Sequence, residues 1–329
     1  MAVSATLEEK QDVVIADGDY RFRVDVDWAK LPDGMWFDDV SAVGIDSKDN
    51  VTIFARHAVP VTIFDRNGNL LNSWGAGQFN RPHHVFVAPD DTLFLTDDHM
   101  HCVRRFDMEG NLLTTLGRPN EPSPLLSGKP FNRPTAVAMS PKGEIYVSDG
   151  YQNCAVHKFS PDGELMLSWG QPGCRPGEFN IVHGIVCDDD GLVYVADREN
   201  HRIQVFDCDG KYLESWHDFH RPNGFYYRRL DGEKRFFVGE AAPALNATAN
   251  WWGIGPWISV FDEKGKCLAK LGAGRPGHEP GAFISPHGLA VDSHGDIYVG
   301  ECAKGGFKKY LKGEMPERLK CLQKLIRLD

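Results

Sequence analysis

Three histidines, His83, His183 and His287, occupy one equivalent position in alternate copies of an internal repeat. Each lies in a similar six-residue motif: Pro82-His83-His84-Val85-Phe86-Val87, Val182-His183-Gly184-Ile185-Val186-Cys187 and Pro286-His287-Gly288-Leu289-Ala290-Val291. The copies between them carry polar residues without an imidazole at this register position: Ser41, Thr135 and Asn223. If the repeats close into a six-membered ring, every second unit directs an imidazole at the central axis. Three converging imidazoles form a metal site.

The chemistry of the imidazole group favours zinc at this position. Neutral imidazole nitrogens bind Zn²⁺ at about 2.0–2.1 Å, and three protein ligands leave one coordination position open for water or substrate. Another divalent transition metal, such as Fe, Mn, Co or Ni, also suits three histidines. His84 neighbours His83 but shares the register of Gly184 and Gly288, so we expect its side chain to point elsewhere.

A second set of candidate residues follows the second strand of copies one, three and four: Arg56, Tyr151 and Arg198. The loops after these strands meet the same face as the histidines. Arginine binds a carboxylate through its planar fork. A tyrosine beside a divalent cation and arginines is expected to have a lowered pKa and to act as a base near neutral pH. The alternative interpretation is that all three are rim residues paired with Asp or Glu.

The repeat that positions these residues is clearest in the fourth copy, at residues 183–188, 191–197, 202–207 and 210–213. Its short apolar runs end in Asp, Gly, Asn or Pro, a pattern typical of strands and turns. Four short strands per copy are the pattern of a propeller blade. With register positions at 41, 83, 135, 183, 223 and 287, the sequence predicts an all-β, six-bladed β-propeller of four-stranded antiparallel blades. We expect a single domain over residues 1–329.

The two ends of the chain are expected to close the ring. The last copy runs out near Tyr310, whereas residues 19–26 alternate like a strand that has no place in the first copy. Pairing of this amino-terminal strand with the carboxyl-terminal blade removes two exposed sheet edges. We expect the tail, residues 311–329, to pack outside the ring.

The composition excludes several classes of function. Lys and Arg number 36 and Asp and Glu number 46, and the resulting net charge of −10 disfavours binding to nucleic acid. No apolar run approaches the roughly 18 residues of a membrane-spanning helix, and the first ten residues lack the features of a signal peptide. The 8 cysteines form no CxxC pair, so we expect reduced thiols. These features predict a cytoplasmic protein without membrane association.

Three segments closely resemble the peptidyl-α-hydroxyglycine α-amidating lyases: Ser148-Asp149-Gly150-Tyr151-Gln152-Asn153, Arg175-Pro176-Gly177-Glu178-Phe179-Asn180 and Ala196-Asp197-Arg198-Glu199-Asn200-His201-Arg202-Ile203-Gln204. The NHL-repeat pattern of this family covers nearly the whole chain. The resemblance implies a six-bladed propeller with zinc held by three histidines. It also implies cleavage of a carbinolamide, RCO-NH-CH(OH)-COO⁻, into an amide and glyoxylate.

The resemblance extends to the candidate residues. By motif match, the family's zinc ligands fall on His83, His183 and His287, its tyrosine on Tyr151, and its two arginines on Arg56 and Arg198. Departures from the family are informative. Gln152, Tyr194 and Val205 stand near the places of its disulfide cysteines, and Gly288 stands where the family has a calcium-binding aspartate. We therefore expect no structural Ca²⁺.

The resulting prediction is a zinc-dependent lyase that cleaves a carbinolamide or a related α-hydroxy carboxylate and releases glyoxylate or a similar carbonyl product. The chain shows neither a secretion signal nor a copper monooxygenase domain, so we expect a small, carboxylate-bearing substrate rather than a secretory peptide. One alternative is a hydrolase that uses zinc-bound hydroxide on an ester, lactone or amide. The other is an NHL scaffold for protein interaction, which has no need of three axial histidines.

Overall fold

Six antiparallel β-sheets surround a central axis, and each sheet forms one blade. This arrangement is seen in a computed structural model that describes residues 12–245, 247–248, 251–311 and 313–328. It confirms the predicted all-β six-bladed propeller.

The strands of the described residues are β1 (Val14–Asp17), β2 (Tyr20–Asp25), β3 (Val40–Ile45), β4 (Val51–Ala55), β5 (Val61–Phe64), β6 (Leu70–Trp74), β7 (Pro82–Val87), β8 (Leu93–Asp97), β9 (Cys102–Phe106), β10 (Leu112–Gly117), β11 (Pro134–Met139), β12 (Ile145–Asp149), β13 (Ala155–Phe159), β14 (Leu165–Trp169), β15 (Val182–Cys187), β16 (Val193–Asp197), β17 (Arg202–Phe206), β18 (Tyr212–Trp216), β19 (Pro222–Leu230), β20 (Glu233–Glu240), β21 (Trp257–Phe261), β22 (Cys267–Leu271), β23 (Pro286–Val291), β24 (Ile297–Glu301) and β25 (Leu322–Leu328). A short 3₁₀ helix covers Arg198–Asn200, and helix α1 covers Ala303–Tyr310.

Blades one to five each consist of four consecutive strands, from β3–β6 to β19–β22. The first strand of every blade is innermost and contacts the innermost strands of both neighbouring blades. The register residue predicted from the repeat is the second residue of each innermost strand. The repeat therefore places equivalent residues at equivalent points around the axis.

The sixth blade closes the ring, with the strand order β1-β2-β25-β24-β23. Strand β2 pairs with β25, which confirms closure by the amino-terminal strand. Two details of the prediction are wrong. The tail 311–329 was expected to pack outside the ring, but its residues 322–328 form β25, the third strand of this blade. In addition, β1 makes the blade five-stranded. The tail resembles no other copy because the chain reaches β25 through α1 and a loop instead of a tight turn, although residues 322–325 are buried.

Neighbouring blades contact each other through tryptophans and turn glycines. Trp74, which ends blade one, lies against Gly110 of blade two. In the same way, Trp169, which ends blade three, lies against Gly210 of blade four. A Cβ atom at either glycine would lie 2.7 Å from the indole ring. Both glycines also have positive φ angles, of 91° and 76°, which only glycine adopts at little cost. Each glycine ends an Asp-x-x-Gly turn, in which its N–H donates to the carbonyl oxygen of Asp107 or Asp207, so it serves both the turn and the blade interface.

Two further expectations concern membranes and thiols. In the part of the chain that the structure describes, no helix has the length and apolarity needed to cross a bilayer. All of the cysteines are free thiols, as expected: Cys102, Cys154, Cys174, Cys187, Cys208, Cys267, Cys302 and Cys321.

Candidate metal centre and active site

His83, His183 and His287 meet at the central axis. Their ring centroids lie 4.7, 4.9 and 5.0 Å apart, and one ligand nitrogen of each lies within 4.8 Å of the other two. All three side chains are buried. Within the described ranges, no other cluster of three His, Cys, Asp or Glu ligand atoms is this tight. This group could hold a metal ion.

A backbone irregularity accompanies the register residue in every blade. In all six, the pairing between the first and second strands shifts at this point, as between Pro82 and His84 in blade two. Such a bulge leaves one residue out of the regular pairing and redirects its side chain. The bulges thereby orient the histidine side chains of the inner strands toward the axis.

The orientation of each histidine is fixed by the following blade. His83 Nδ1 donates to the carbonyl oxygen of Thr135 at 2.6 Å, and His183 Nδ1 donates to that of Asn223 at 3.0 Å. His287 Nδ1 donates to Ser41 O at 2.7 Å. A carbonyl only accepts, so the proton of each neutral ring is on Nδ1 and the lone pair is on Nε2. Tying one ring nitrogen to a carbonyl is the usual way in which proteins orient a metal-binding histidine.

The protonation of the three histidines also fits a metal. Burial lowers the pKa of His83 and His183 well below the usual value, and it lowers the pKa of His287 to about 3. The positive charges of Arg56 and Arg198 act in the same direction. Neutral imidazole is the form that binds Zn²⁺ and other divalent transition metals. The donor set, its burial and its tautomers therefore suit such an ion.

Tyr151 lies directly beside this centre. It follows β12 by two residues, is half-buried, and has its hydroxyl oxygen 3.0 Å from His83 Nε2 and 3.1 Å from His183 Nε2. A group bound at the axis would therefore lie within reach of the tyrosine hydroxyl. The structure thus brings together the tyrosine and the histidines that the sequence predicted to form the site.

The two nominated arginines flank the same centre. Arg198 Cζ lies 5.6 Å from the centroid of the Tyr151 ring, and its Nε donates to Glu199 at 2.8 Å. Arg56 Nε donates to the carbonyl oxygen of Pro82 at 3.2 Å, and its Nη1 lies 3.7 Å from the Asp39 carboxylate. Both arginines are thus held by acidic residues, as the rim interpretation expected, and the charges of both lower the pKa of His287.

Two further arginines were missed by the sequence analysis. Arg133 and Arg81 place their Cζ atoms 4.9 and 6.0 Å from the centroid of the Tyr151 ring. A signal for them exists, because an Arg-Pro pair precedes the register residue in copies two, three and five, at residues 81–82, 133–134 and 221–222. The face around Tyr151 is therefore richer in positive charge than the nominated residues indicated.

The other end of the central channel holds a mainly apolar cavity of about 340 Å³, which Asp188 and Asp189 also line. Its walls come from residues further along the inner strands, among them Val43, Val137 and Ile185. His84 also lines it and accepts a hydrogen bond from Val137 N at 3.3 Å, and burial lowers its pKa to about 4. His84 therefore points away from the metal centre, as expected.

Gly288 stands where the amidating lyases have an aspartate that binds calcium, so this chain was expected to lack that ligand. A Cβ atom at Gly288 would lie 2.4 Å from Ala42 Cα. Without a shift of the neighbouring backbone, the position therefore has no room for a carboxylate side chain.

Comparison with known proteins places this arrangement in a family. The NHL repeat matches residues 131–159 and 179–206. NHL repeat-containing protein 3 of Homo sapiens is 30% identical to this chain, over 88% of this chain and 84% of the relative. The chain belongs to the NHL-repeat family.

This NHL propeller is also similar to the amidating lyases. Peptidyl-alpha-hydroxyglycine alpha-amidating lyase 1 of Drosophila melanogaster is 31% identical, over 80% of this chain and 55% of the relative. Peptidyl-glycine alpha-amidating monooxygenase B of Xenopus laevis is 27% identical over 94% of this chain. The chain spans only 38% and 35% of the length of the B and A monooxygenases of Xenopus laevis.

Solved structures share the architecture. A gluconolactonase from Xanthomonas campestris aligns with a TM-score of 0.60 at 15% identity, over 94% of this chain and 91% of that one. Virginiamycin B lyase from Staphylococcus aureus aligns with a TM-score of 0.59 at 13% identity, over 93% and 99% of the two chains. At these identities the likeness shows the fold alone.

Proposed function

We propose that this NHL propeller is a metal-dependent lyase that cleaves a carbinolamide or a related α-hydroxy carboxylate of small size. The observation that carries the proposal is the convergence of three buried, neutral histidines with the hydroxyl of Tyr151, which lies 3.0 and 3.1 Å from two of their Nε2 atoms. The similarity to amidating lyases supports the same reaction.

In this proposal His83, His183 and His287 would hold Zn²⁺, since the Nδ1 atom of each ring is already bonded to a carbonyl oxygen. When bound, the ion would act as a Lewis acid, which lowers the pKa of a substrate hydroxyl group. The carbonyls of Ser41, Thr135 and Asn223 keep the three rings in the orientation that this requires.

The chain's own residues then position the substrate and move one proton. Arg56 and Arg198 bind the carboxylate next to the reacting carbon through their planar forks. The phenolate oxygen of Tyr151 takes the proton of the substrate hydroxyl, the C–O bond becomes a carbonyl, and the electrons of the C–N bond leave with the nitrogen. The same proton passes from Tyr151 to that nitrogen, so the products are an amide and glyoxylate.

The positive charge of the site stabilises the negative charge that develops on the oxygen. Glu199 and Asp39 hold the two arginines in place before the substrate arrives, so less ordering is needed during the reaction.

The experiment that tests this function combines a metal analysis with one assay. The purified protein should contain about one divalent transition metal ion per chain and should release glyoxylate from α-hydroxyhippurate. Removal of the metal by a chelator should abolish release, and added Zn²⁺ should restore it. A metal-free protein without this activity would contradict the proposal and favour a scaffold.

A metal-dependent hydrolase of an ester, lactone or amide is the second candidate. The pairing of both arginines with carboxylates favours it, because it leaves less positive charge for a substrate carboxylate. A hydrolase would turn over lactones or esters in a substrate screen and release no glyoxylate from α-hydroxyhippurate.

A further inference from the structure

We propose that Arg81 and Arg133 form a second anion-binding subsite beside Tyr151, and that the substrate is a dicarboxylate. Its first carboxylate lies next to the reacting carbon, and its second lies in the acyl part of the molecule. The inference rests on the proposed function for the first carboxylate, and it adds the class of acyl group.

The two arginines enter the site from neighbouring blades. Arg81 and Arg133 each lie two residues before the register residue, in blades two and three respectively. Their Cζ atoms lie 6.0 and 4.9 Å from the centroid of the Tyr151 ring, whose hydroxyl contacts the histidines. An anion bound by this pair would therefore lie beside the Tyr151 ring, close to the hydroxyl group that contacts the metal-binding histidines.

Asp98 holds both guanidinium groups. It is fully buried, and its Oδ2 accepts from Arg81 Nη1 at 3.0 Å and from Arg133 Nε and Nη2 at 3.0 and 2.5 Å. One carboxylate therefore faces two guanidinium groups, and the cluster keeps an excess of positive charge. The Oδ1 atom of Asp98 has no hydrogen-bond partner among the described residues. Asp98 thus orients the pair without neutralising it.

The pair keeps donors for a ligand. The side chains of Arg81 and Arg133 are 30% and 23% exposed. Among the described residues, Arg81 Nη2 and Arg133 Nη1 have no hydrogen-bond acceptor. Two preoriented guanidinium groups with free N–H groups suit a carboxylate, which accepts two such bonds in its plane.

Blade five offers an internal contrast. Arg221 holds the same place in the repeat, but its Nε and Nη2 donate to Glu199 and its Nη1 donates to Ala242 O. All of its nitrogens are engaged within the protein. The repeat alone therefore does not make an anion subsite, and the free donors distinguish the Arg81–Arg133 pair.

The test compares two substrates that differ in one acyl carboxylate, N-succinyl-α-hydroxyglycine and N-butanoyl-α-hydroxyglycine. The wild-type kcat/KM should favour the succinyl compound by about 10- to 100-fold, the range of a hydrogen bond to a charged group. Arg133→Met and Arg81→Met should each remove most of this preference, because the butanoyl compound has no second carboxylate for either arginine to bind. Arg118→Met is the matched control, because that side chain is 83% exposed. An equal loss for both substrates, or no wild-type preference, would overturn the inference.

A binding measurement separates this inference from the proposed reaction. N-succinylglycine and N-butanoylglycine lack the hydroxyl group and cannot be cleaved, so the difference between their dissociation constants in calorimetry reports the second subsite without turnover. Tighter binding of N-succinylglycine that Arg133→Met abolishes would support the subsite even if no glyoxylate is ever released. Equal binding of the two, with glyoxylate released from both substrates, would refute the subsite and leave the lyase standing. Circular dichroism checks the fold of each variant, and Arg81→Met serves if Arg133→Met fails to fold.

Discussion

The two ends of the central channel are built from the same six inner strands and differ in chemistry. One end holds three neutral histidines, a tyrosine and arginines that are anchored by buried or half-buried acids. The other end is a mainly apolar cavity of about 340 Å³. The difference shows that the propeller supplies equivalent positions, and that the side chains at the strand starts supply the chemistry.

Two adjacent residues illustrate this contrast. His83 points at the axis and donates to Thr135 O, whereas His84 lines the apolar cavity and accepts from Val137 N. Both partners belong to strand β11. Successive side chains of a strand point to opposite sides, and the bulge at His83 adds to their divergence. One step along the chain therefore moves an imidazole from one region to the other.

The largest expected effect separates these two histidine environments. We expect His183→Ala to lose the bound metal and to lower glyoxylate release by at least about 10³-fold, because a binding site with two ligands is incomplete. His84→Ala should retain the metal, since Gly184 and Gly288 occupy the same register without a side chain. Elemental analysis and the glyoxylate assay measure both. Full metal occupancy in His183→Ala would show that this histidine is no more a metal ligand than His84.

Tyr151→Phe should have the next largest effect. The variant keeps the ring that packs beside the arginines and loses only the hydroxyl that contacts His83 and His183. We expect kcat to fall by about 10²- to 10⁴-fold, the usual contribution of a positioned acid or base, with no loss of metal. Steady-state kinetics and metal analysis test this expectation. Appreciable remaining activity would instead favour the hydrolase, in which the metal already supplies the nucleophile.

Glu199→Gln probes the charge that holds Arg198 at the histidine end. Although burial alone would raise the pKa of Glu199, the hydrogen bond from Arg221 and the charges of Arg198 and Arg221 bring it to about 2. The folded pKa is lower than the unfolded value of about 4.3, so the stabilisation is present above that pH and is lost as the pH falls toward 2. We expect the variant to be less stable by about 3 kcal/mol at pH 7.

Urea unfolding at pH 7 and at pH 3 measures this effect. The stability difference between wild type and Glu199→Gln should shrink at the lower pH. An unchanged difference would show that the charge of Glu199 contributes nothing to holding the arginines.

The smallest effect is expected at the apolar end. Val186→Ala removes two methyl groups from a side chain that lines the cavity and packs in the core. We expect a loss of roughly 1–2 kcal/mol in the free energy of unfolding, and no change in metal content or activity. Thermal or urea unfolding, together with elemental analysis, tests this. A change in metal content would show that the two ends of the channel are coupled.

The sequence predicted the site better than it predicted the ends of the chain. The copies align because each repeats a turn and an apolar run, and this alignment locates His83, His183 and His287 without a structure. Strand β25 has no such turn, so its place in the sixth blade could not be recognised. Arg81 and Arg133 were overlooked because their importance lies in a shared contact with Asp98, which no local pattern reveals.

By itself, the sequence determined that six blades surround an axis and that three histidines face it, because strand periodicity and ring symmetry convert a register into a position. Only the tertiary structure decided which nitrogen each histidine offers. That choice depends on carbonyl groups of other blades, as far as 246 residues away for His287 and Ser41. It likewise decided that Arg81 and Arg133 share the carboxylate of Asp98, whereas the N–H groups of Arg221 donate to other groups of the protein. Contacts between distant blades form only when the ring closes, so they follow from the fold and not from any one repeat.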